Sequence, residues 1–425
     1  MIGKELHKFA RKLWGYNRSI TGEGVRQTLS DIRNILPELE IFSVNSGKQV
    51  YDWKIPKEWK VNKAYIVCPN GEKICDFSKN NLHLVGYSTP FSGKLNLSEL
   101  QKRLFSLPEK PNAIPYVTSY YKETWGFCIE DNKRKMLEDG IYEVVIDSEL
   151  FDGVLNYGEL LIEGRSKEEI FLSTYICHPS MANNELSGPV VTTFIAEWLS
   201  QQTNRFSYRI VFIPETIGSI CYLSHNLAHL KKFVTAGFNI SCIGDNREYS
   251  FLPSRNGKTL SDKVAKHVLS HFDQDYKKYS WSDRGSDERQ YCSPGVDLPI
   301  ASIMRTKYGK YPEYHTSLDD LENVVTEEGL DGGYWALRRA IECIEINEIY
   351  KAVHLCEPQM GRRGLWSNIS MKGSQTPFAV YMDLLSWCDG KHSVIDIAEK
   401  MDVPCWVLKE AIDTLVNENL ISLAN

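Results

Sequence analysis

From about Gly140 onward, strand-like runs alternate with helical patterns, and this alternation constrains the fold more than any other feature of the chain. Short apolar runs separated by helices are typical of βαβ units, whose strands form a largely parallel sheet with helices on both faces. The sequence therefore predicts an α/β domain with a mixed, largely parallel sheet. The expected strands are 142–146, 159–162, 170–177, 208–213, 236–243 and 300–304, and the expected helices are 190–200, 220–230, 261–269 and 332–344.

The segment before this alternation has a different character. Two helices are expected at 5–13 and 25–35, and a strand at 40–44. Residues 46–127 are dense in Trp, Tyr, Pro and Gly, which predicts short strands in a small β-rich insert. We expect its aromatic residues to form its own core, with a pocket wall as the alternative for Tyr120, Tyr121 and Trp125. The predicted domains are 1–45 with 128–352, 46–127, and 353–425.

The C-terminal part, from about residue 379 to 421, shows three helical patterns separated by short turns, which is typical of a winged-helix-like domain. Three lysines and eight carboxylates lie in this stretch. DNA affinity depends on neutralising phosphates with Lys and Arg, and the third helical pattern opens with Trp406, Val407 and Leu408. We therefore expect contact with a protein partner or self-association first, and DNA binding only as the second interpretation.

Composition narrows the class of protein. The chain has 425 residues and a formal net charge of −6, which argues against a general polyanion binder. No apolar run approaches the ~18 residues of a membrane span, so we expect no membrane contact. Eleven cysteines are scattered without a C-x-x-C motif. That pattern predicts reduced thiols and a cytoplasmic protein.

Polar residues follow several of the predicted strands. His178, Glu215 and Asp245 each come after an apolar run, and His315 lies in a later segment. Ligands bind outside the carboxyl ends of strands in open α/β sheets, so these side chains are candidates for one site. Two imidazoles and a carboxylate suit a zinc ion, and Glu215 suits a general base. Asp319, four residues after His315, is a candidate for orienting that imidazole.

Each of these residues also has a purely structural interpretation. A lone strand-end histidine such as His178 is more often a packing residue than a ligand. Glu215 suits the first turn of a helix, where the dipole favours a carboxylate, and Asp245 suits the turn Gly-Asp-Asn. Glu288 and Arg289 suit an ordinary ion pair. The ordered set of motifs favours an active site over these alternatives.

The motif order resembles the di-zinc aminopeptidase family of the zinc exopeptidase clan. It resembles more closely a bacterial aminopeptidase-like family that joins such a domain to a β-rich insert and a C-terminal winged helix. The resemblance covers nearly the whole chain and rests on His178 with N-N-E-L-S-G, P-E-T-I-G-S, G-D-N, S-D-E-R-Q-Y with G-V-D-L-P, and Y-H-T-S-L-D-D. It implies metal ligation by His178, Asp245 and His315, a general base at Glu215, and oxyanion stabilisation by Tyr314.

At three positions this sequence differs from the residue that the resemblance leads us to expect. Asn184 stands where a bridging Asp is expected, Thr216 where a Glu ligand is expected, and Glu288 where a pocket His is expected. With fewer anionic ligands, we expect one zinc ion and not two. Five residues are further candidates for metal or pocket contacts, namely Asn184, Glu185, Asp287, Glu288 and Arg289.

These observations predict a zinc-dependent amide hydrolase, specifically an aminopeptidase acting on a peptide or amino-acyl substrate. A second hypothesis is a catalytically weakened binding or regulatory protein that works through its winged helix, motivated by Asn184 and Thr216. A third keeps the amide chemistry but takes an acylated amino sugar, since the resembling architecture is associated with polysaccharide biosynthesis.

Overall fold

The computed structural model describes residues 1–365 and 377–424. The chain divides into two compact units. The first comprises Met1–Ser261 and Lys277–Trp335, and the second comprises Asp262–Tyr276 and Ala336–Asn425. The predicted domain at 353–425 includes residues 366–376 and 425, which lie outside the described residues. The predicted domain boundaries themselves stay predictions.

An eight-stranded sheet forms the centre of the first unit, and it confirms the predicted α/β fold with a largely parallel sheet. Its four inner strands, Ser207–Ile213, Glu169–Tyr175, Val234–Asn239 and Ile300–Met304, are mutually parallel. Antiparallel pairing begins on either side of them. The outer strands are Glu40–Asn45 and Val154–Ile162 at one edge, and Ser250–Leu252 and Lys277–Lys278 at the other.

The two central strands are buried on both faces, as continuous apolar runs require when helices cover a sheet. The helix Ser187–Ser200 follows the strand Glu169–Tyr175, and Ile217–Phe233 follows Ser207–Ile213. The first unit also contains the helices Gly3–Leu13 and Glu23–Ile35 and the shorter Leu97–Leu100, Asp131–Lys135 and Glu288–Tyr291. The helix Leu260–Phe272 belongs mostly to the second unit, and Glu327–Ile346 is divided between the two units.

A second, antiparallel sheet lies in the β-rich part of the first unit. Its strand order is Lys73–Ile74, Glu58–Val67, Ile141–Phe151 and Phe91–Asn96. The predicted strand at 142–146 therefore exists but pairs here and not in the central sheet, which corrects its predicted place. Strand pairing is set by distant partners that the local pattern does not reveal. Two strand pairs complete this part, Gln49–Val50 with Trp53–Lys54 and Leu104–Phe105 with Phe127–Cys128.

The second unit contains the predicted winged-helix-like elements. Helices Pro377–Trp387, Val394–Met401 and Lys409–Asn417 accompany a three-stranded antiparallel sheet. The sheet pairs Ile349–Ala352 with Asp389–Ser393 and Ile421–Leu423. The helix Val394–Met401 begins with a capping box, in which Ser393 and Asp396 satisfy each other's backbone amides. Trp406 packs inside this unit, against His267 and His271.

The expectation of uniformly reduced thiols needs a correction, because Cys343 and Cys405 form a disulfide in the second unit. They are 62 residues apart, so no local spacing could have revealed the pair. The other nine cysteines form no disulfide. Within residues 1–365 and 377–424, no helix is both long and apolar enough to cross a bilayer.

Candidate active site

The carboxyl ends of two adjacent parallel strands place His178 and Glu215 beside each other. His178 comes three residues after the strand Glu169–Tyr175, and Glu215 comes two residues after Ser207–Ile213. The distance from His178 Nε2 to Glu215 Oε2 is 3.5 Å. The Glu215 side chain is 21% exposed, so a ligand can reach it. The predicted neighbourhood of these two residues is therefore present in the structure.

His178 is buried and anchored on its other side. Its Nδ1 lies 2.8 Å from Glu185 Oε2, which in a neutral ring leaves the Nε2 lone pair facing Glu215. Burial alone would lower the pKa of His178, but Cys177 and Glu185 outweigh burial and raise it well above its ordinary value. The ring is packed edge-on against Tyr116 and Tyr175, with centroids 5.3 Å away in each case.

A buried arginine completes the support of His178. Arg18 Nε donates to the His178 carbonyl oxygen at 3.0 Å and lies 3.4 Å from Glu185 Oε1. Both charged side chains are fully buried. Glu185 thus bridges the guanidinium and the imidazole. It lies in the π-helical turn Ala182–Leu186, which leads into the helix Ser187–Ser200. Nothing in the sequence around Arg18 indicated this role.

Behind Glu215 lies a second group of ionisable residues. Asp287 Oδ1 accepts hydrogen bonds from Thr216 N and Ser219 Oγ, each at 2.8 Å. Arg289 Nη2 donates to Thr216 Oγ1 at 2.6 Å. Burial raises the pKa of Glu215 against the opposing charges of His178 and Arg289. Burial and the Glu215 charge raise the pKa of Asp287 to about 7. A carboxylate with a raised pKa is suited to proton transfer near neutral pH.

A pocket of about 360 Å³ opens onto this pair. Its polar wall consists of His178, Glu215, Thr216 and Arg289, and the remaining wall is mostly apolar or aromatic, formed by Ile20, Trp53, Tyr120, Tyr121, Cys177 and Ile217. Tyr120 and Tyr121 therefore do line a pocket. Trp125 does not line it, because it stacks on Phe91 with centroids 4.2 Å apart. Trp53, a partly exposed tryptophan just after a hairpin turn, was missed by sequence reasoning.

Asp245 does not join this group, which corrects the predicted ligand set. It is buried, and its oxygens accept hydrogen bonds from Asn183 Nδ2, Thr306 N, Thr306 Oγ1 and Arg247 N at 2.7 to 3.0 Å. With four donors in place, the carboxylate has little capacity left for a metal ion. Asp245 instead fastens three chain segments together.

Asp319 has a similar structural role, so the prediction that it orients His315 is wrong. Its oxygens accept from Asn183 N at 2.7 Å, Asn184 N at 3.0 Å and Tyr311 OH at 2.9 Å. It therefore holds the turn that carries Glu185. Burial raises the pKa of Asp319 to about 6.

His315 lies near His178 but on another segment, with ring centroids 5.9 Å apart. Burial and the charge of His178 lower the pKa of His315 to about 3, which keeps its ring neutral. Tyr314 stacks on His315 at 3.9 Å, and burial raises the pKa of its phenol. Tyr116, from the β-rich part, contacts both imidazole rings and was not predicted.

Two further candidates do not line the pocket and bond to other residues. Asn184 Oδ1 accepts from Tyr175 OH at 3.2 Å, and its Nδ2 is buried without a partner. Glu288 accepts from Asn239 Nδ2 at 2.9 Å and Tyr308 OH at 2.6 Å. The expected alternative of a Glu288–Arg289 ion pair is therefore not what the structure contains.

The pocket contains side chains that would suit a zinc ion. Among the described residues, Cys177, His178 and Glu185 form a three-donor cluster with ligand atoms within 4.8 Å of one another. The Arg18 guanidinium against Glu185 disfavours a cation on that side. The pocket side offers His178 Nε2, the Glu215 carboxylate and the nearby His315 ring, which is a suitable N and O set for zinc.

Comparisons with known protein families divide the chain into two parts. A family profile described as "Domain of unknown function (DUF4910)" matches residues 7–347. A profile described as "winged helix-turn-helix" matches residues 348–423. A Clostridium acetobutylicum protein named "Putative polysaccharide biosynthesis protein with aminopeptidase-like domain" is 43% identical over 424 residues, which cover 99% of this chain and 96% of the relative.

Solved structures give the same picture of the fold. A crystal structure described as a "putative peptidase" from Clostridium acetobutylicum has a TM-score of 0.92 at 42% identity, and the match covers 99% of this chain and 96% of that one. A zinc aminopeptidase from Bacillus subtilis has a TM-score of 0.56 at 12% identity, covering 80% of this chain and 94% of that one. A peptidase M28 precursor from Shewanella amazonensis has a TM-score of 0.53 at 12% identity, and the match covers 80% of this chain and 96% of that one. The resemblance to an aminopeptidase-like family with a winged helix is confirmed.

Proposed function

Because the chain belongs to the family described as a domain of unknown function (DUF4910) and has an aminopeptidase-like fold, we propose that it is an amide hydrolase whose active site is the His178–Glu215 pocket. The observation that carries the proposal is the placement of Glu215 Oε2 3.5 Å from His178 Nε2 at the carboxyl ends of two parallel strands, inside a ligand-sized pocket.

In this proposal Glu215 takes a proton from the attacking water and returns it to the leaving amine. Its raised pKa supports that role, because a base that is too acidic holds a proton poorly. Glu185 orients the His178 ring, and Arg18 contacts both residues through the His178 carbonyl oxygen and the Glu185 carboxylate. Tyr314 is the proposed oxyanion donor, on the strength of its position beside His315.

We propose one zinc ion, held by His178 and His315 beside Glu215. A bound zinc ion would polarise the substrate carbonyl and lower the pKa of water. Two imidazoles are fewer than the usual three protein ligands, so we expect weak zinc binding unless Glu215 also contributes.

The test is hydrolysis of amino-acid 4-nitroanilides by the purified full chain, with and without added zinc. Glu215→Gln keeps the shape of the side chain but removes its basicity, and general-base catalysis typically contributes 10²–10⁴-fold. We expect a loss of about that size in kcat. Full activity of the Glu215→Gln variant would contradict the mechanism.

The binding or regulatory hypothesis remains the second candidate. The observation that favours it is the loss of metal-ligand character at three places: Asn184 is neutral, Thr216 is held by Arg289, and Asp245 is saturated with hydrogen bonds. No hydrolysis with any added metal, together with retained ligand binding, would support it over the hydrolase.

We also propose the substrate and setting. The substrate is a peptide or amino-acyl amide, or alternatively an acylated amino sugar, which the name of the Clostridium acetobutylicum relative would suit. Nine cysteines that form no disulfide support a cytoplasmic location. The winged-helix-like part is proposed to contact a partner protein or a second copy, since its carboxylates outnumber its lysines and Trp406 is packed inward. Light scattering on the full chain tests self-association.

A further inference from the structure

Arg289 is a cation in the wall of the His178–Glu215 pocket, near enough to the Glu215 and Asp287 carboxylates for its charge to act on them but in a salt bridge with neither. It lines the pocket together with Glu215 and His178. Its Nη2 donates to Thr216 Oγ1, and its Nε is buried without a hydrogen-bond partner. Among the ion pairs within residues 1–365 and 377–424, none joins Arg289 to a carboxylate within 4.0 Å. A guanidinium N–H left unsatisfied is costly unless a ligand completes it.

The backbone beside Arg289 is held in a strained conformation. Thr216 has φ 62° and ψ −77°, although β-branched residues rarely adopt positive φ. Such a conformation persists only where the surroundings hold it, and it is concentrated at functional sites. Here Asp287 Oδ1 accepts a hydrogen bond from Thr216 N, and Arg289 Nη2 donates one to Thr216 Oγ1. The guanidinium is therefore fixed beside Glu215 before any ligand arrives.

Three aromatic side chains form another part of the pocket wall. Trp53 and Tyr121 meet edge to face with centroids 5.7 Å apart, and they are 38% and 57% exposed. Tyr120 lines the same pocket. Exposed aromatic rings bind the apolar part of a ligand while leaving its charged end to a polar group. In this pocket the polar group available to the charged end of a ligand is the Arg289 guanidinium.

We propose that Arg289 binds a carboxylate of the ligand, so that the site selects amides whose acyl side chain ends in a carboxylate. The guanidinium matches the planar fork of a carboxylate, which an ammonium does not. The assignment of the scissile amide to Glu215 rests on the proposed function; the carboxylate contact does not depend on catalysis.

The test uses two ligands that differ in one charge. The substrates are the α-glutamyl and α-glutaminyl 4-nitroanilides, and the ligands for calorimetric binding are free glutamate and glutamine. We expect kcat/KM and affinity to favour the glutamyl member by about 10–100-fold, the range of a charge-assisted hydrogen bond. Arg289→Gln should abolish this preference, and Arg289→Lys should keep only part of it. Arg255→Gln is the matched control, because Arg255 pairs with Asp297 and does not line the pocket.

The outcomes separate the two ideas. If neither anilide is cleaved but wild type binds glutamate over glutamine and Arg289→Gln does not, the hydrolase proposal fails and the carboxylate site stands. If Glu215-dependent hydrolysis shows no preference, or a preference that Arg289→Gln leaves intact, the carboxylate site is overturned and the hydrolase stands. If Arg289→Gln is misfolded by circular dichroism, the Lys variant decides: an unchanged preference overturns the inference.

Discussion

Replacing Asp245 by Asn distinguishes a structural carboxylate from a metal ligand. Oδ1 accepts from Thr306 Oγ1 and Arg247 N, whereas Oδ2 accepts from Asn183 Nδ2 and Thr306 N. An amide group can place its NH₂ at only one of these positions. If the NH₂ group takes the Oδ2 position, it faces the donors Asn183 Nδ2 and Thr306 N, and both lose their acceptor. At the Oδ1 position the Thr306 hydroxyl can turn and accept, so only the Arg247 amide loses its partner.

The less costly orientation therefore sets the magnitude. Losing the part-buried bond from Arg247 N costs about 1 kcal/mol, because Arg247 is exposed and water can replace the carboxylate, and each bond that remains loses about 1 kcal/mol of the strength that a charged acceptor gives. We expect the free energy of unfolding of Asp245→Asn to fall by about 2–5 kcal/mol, with zinc binding unchanged. Urea unfolding followed by circular dichroism measures the first quantity, and elemental analysis after dialysis measures the second.

The matched control is Asp297→Asn, because Asp297 pairs with Arg255 at the surface, where such a pair contributes at most about 1 kcal/mol. The argument would be refuted by an Asp245→Asn variant that unfolds at the wild-type urea concentration but has lost zinc. That result would make Asp245 a ligand and its hydrogen bonds incidental.

Three other perturbations test the supports of the site and of the second unit. Glu185→Gln leaves the Arg18 charge buried without a counter-ion, so we expect a loss of about 3–5 kcal/mol in urea unfolding; a neutral effect would show that Glu185 does not balance Arg18. Asp319 titrates near pH 4 in the unfolded chain, but burial raises its pKa to about 6 in the folded state. The folded state then holds the extra proton, so the free energy of unfolding should fall as pH rises from about 4 to about 6, and Asp319→Asn should lack this slope. Cys343→Ser opens a disulfide with a sequence separation of 62, which should destabilise the second unit by about 4 kcal/mol in non-reducing buffer and by nothing in reducing buffer.

The sequence predicted the inner strands of the central sheet because their apolar runs are continuous and long enough to be seen locally. It missed Ser250–Leu252 and Lys277–Lys278, since strands of three and two residues carry no measurable period. The strand Ile141–Phe151 was detected but assigned to the wrong sheet. Its pairing with Glu58–Val67 depends on residues 76 to 93 positions away.

The sequence predicted the site residues that lie at strand ends and missed those that come from other segments. His178 and Glu215 follow parallel strands, so their meeting follows from topology. Arg18 and Trp53 come from distant segments whose approach no pattern encodes. The prediction that Asp245 is a metal ligand failed for a chemical reason. A carboxylate after a strand has the same appearance in sequence whether backbone amides or a metal ion satisfies its oxygens.

Asn184, Thr216 and Arg289 are best understood as one coordinated change in charge. The first two are neutral where the resemblance implies anionic ligands, and Arg289 donates to Thr216. A unit charge 4 Å from another contributes about 4 kcal/mol at an effective dielectric constant of 20, so a divalent ion at that distance from the guanidinium, in the second metal position that the resemblance implies, would meet about 8 kcal/mol of repulsion. Restoring only the carboxylates, with Asn184→Asp and Thr216→Glu, should therefore pair the introduced glutamate with Arg289 and leave the zinc content unchanged. Adding Arg289→Ala should raise the zinc content by one ion per chain, as measured by elemental analysis at saturating zinc. A second ion in the double variant would show that the guanidinium does not exclude it.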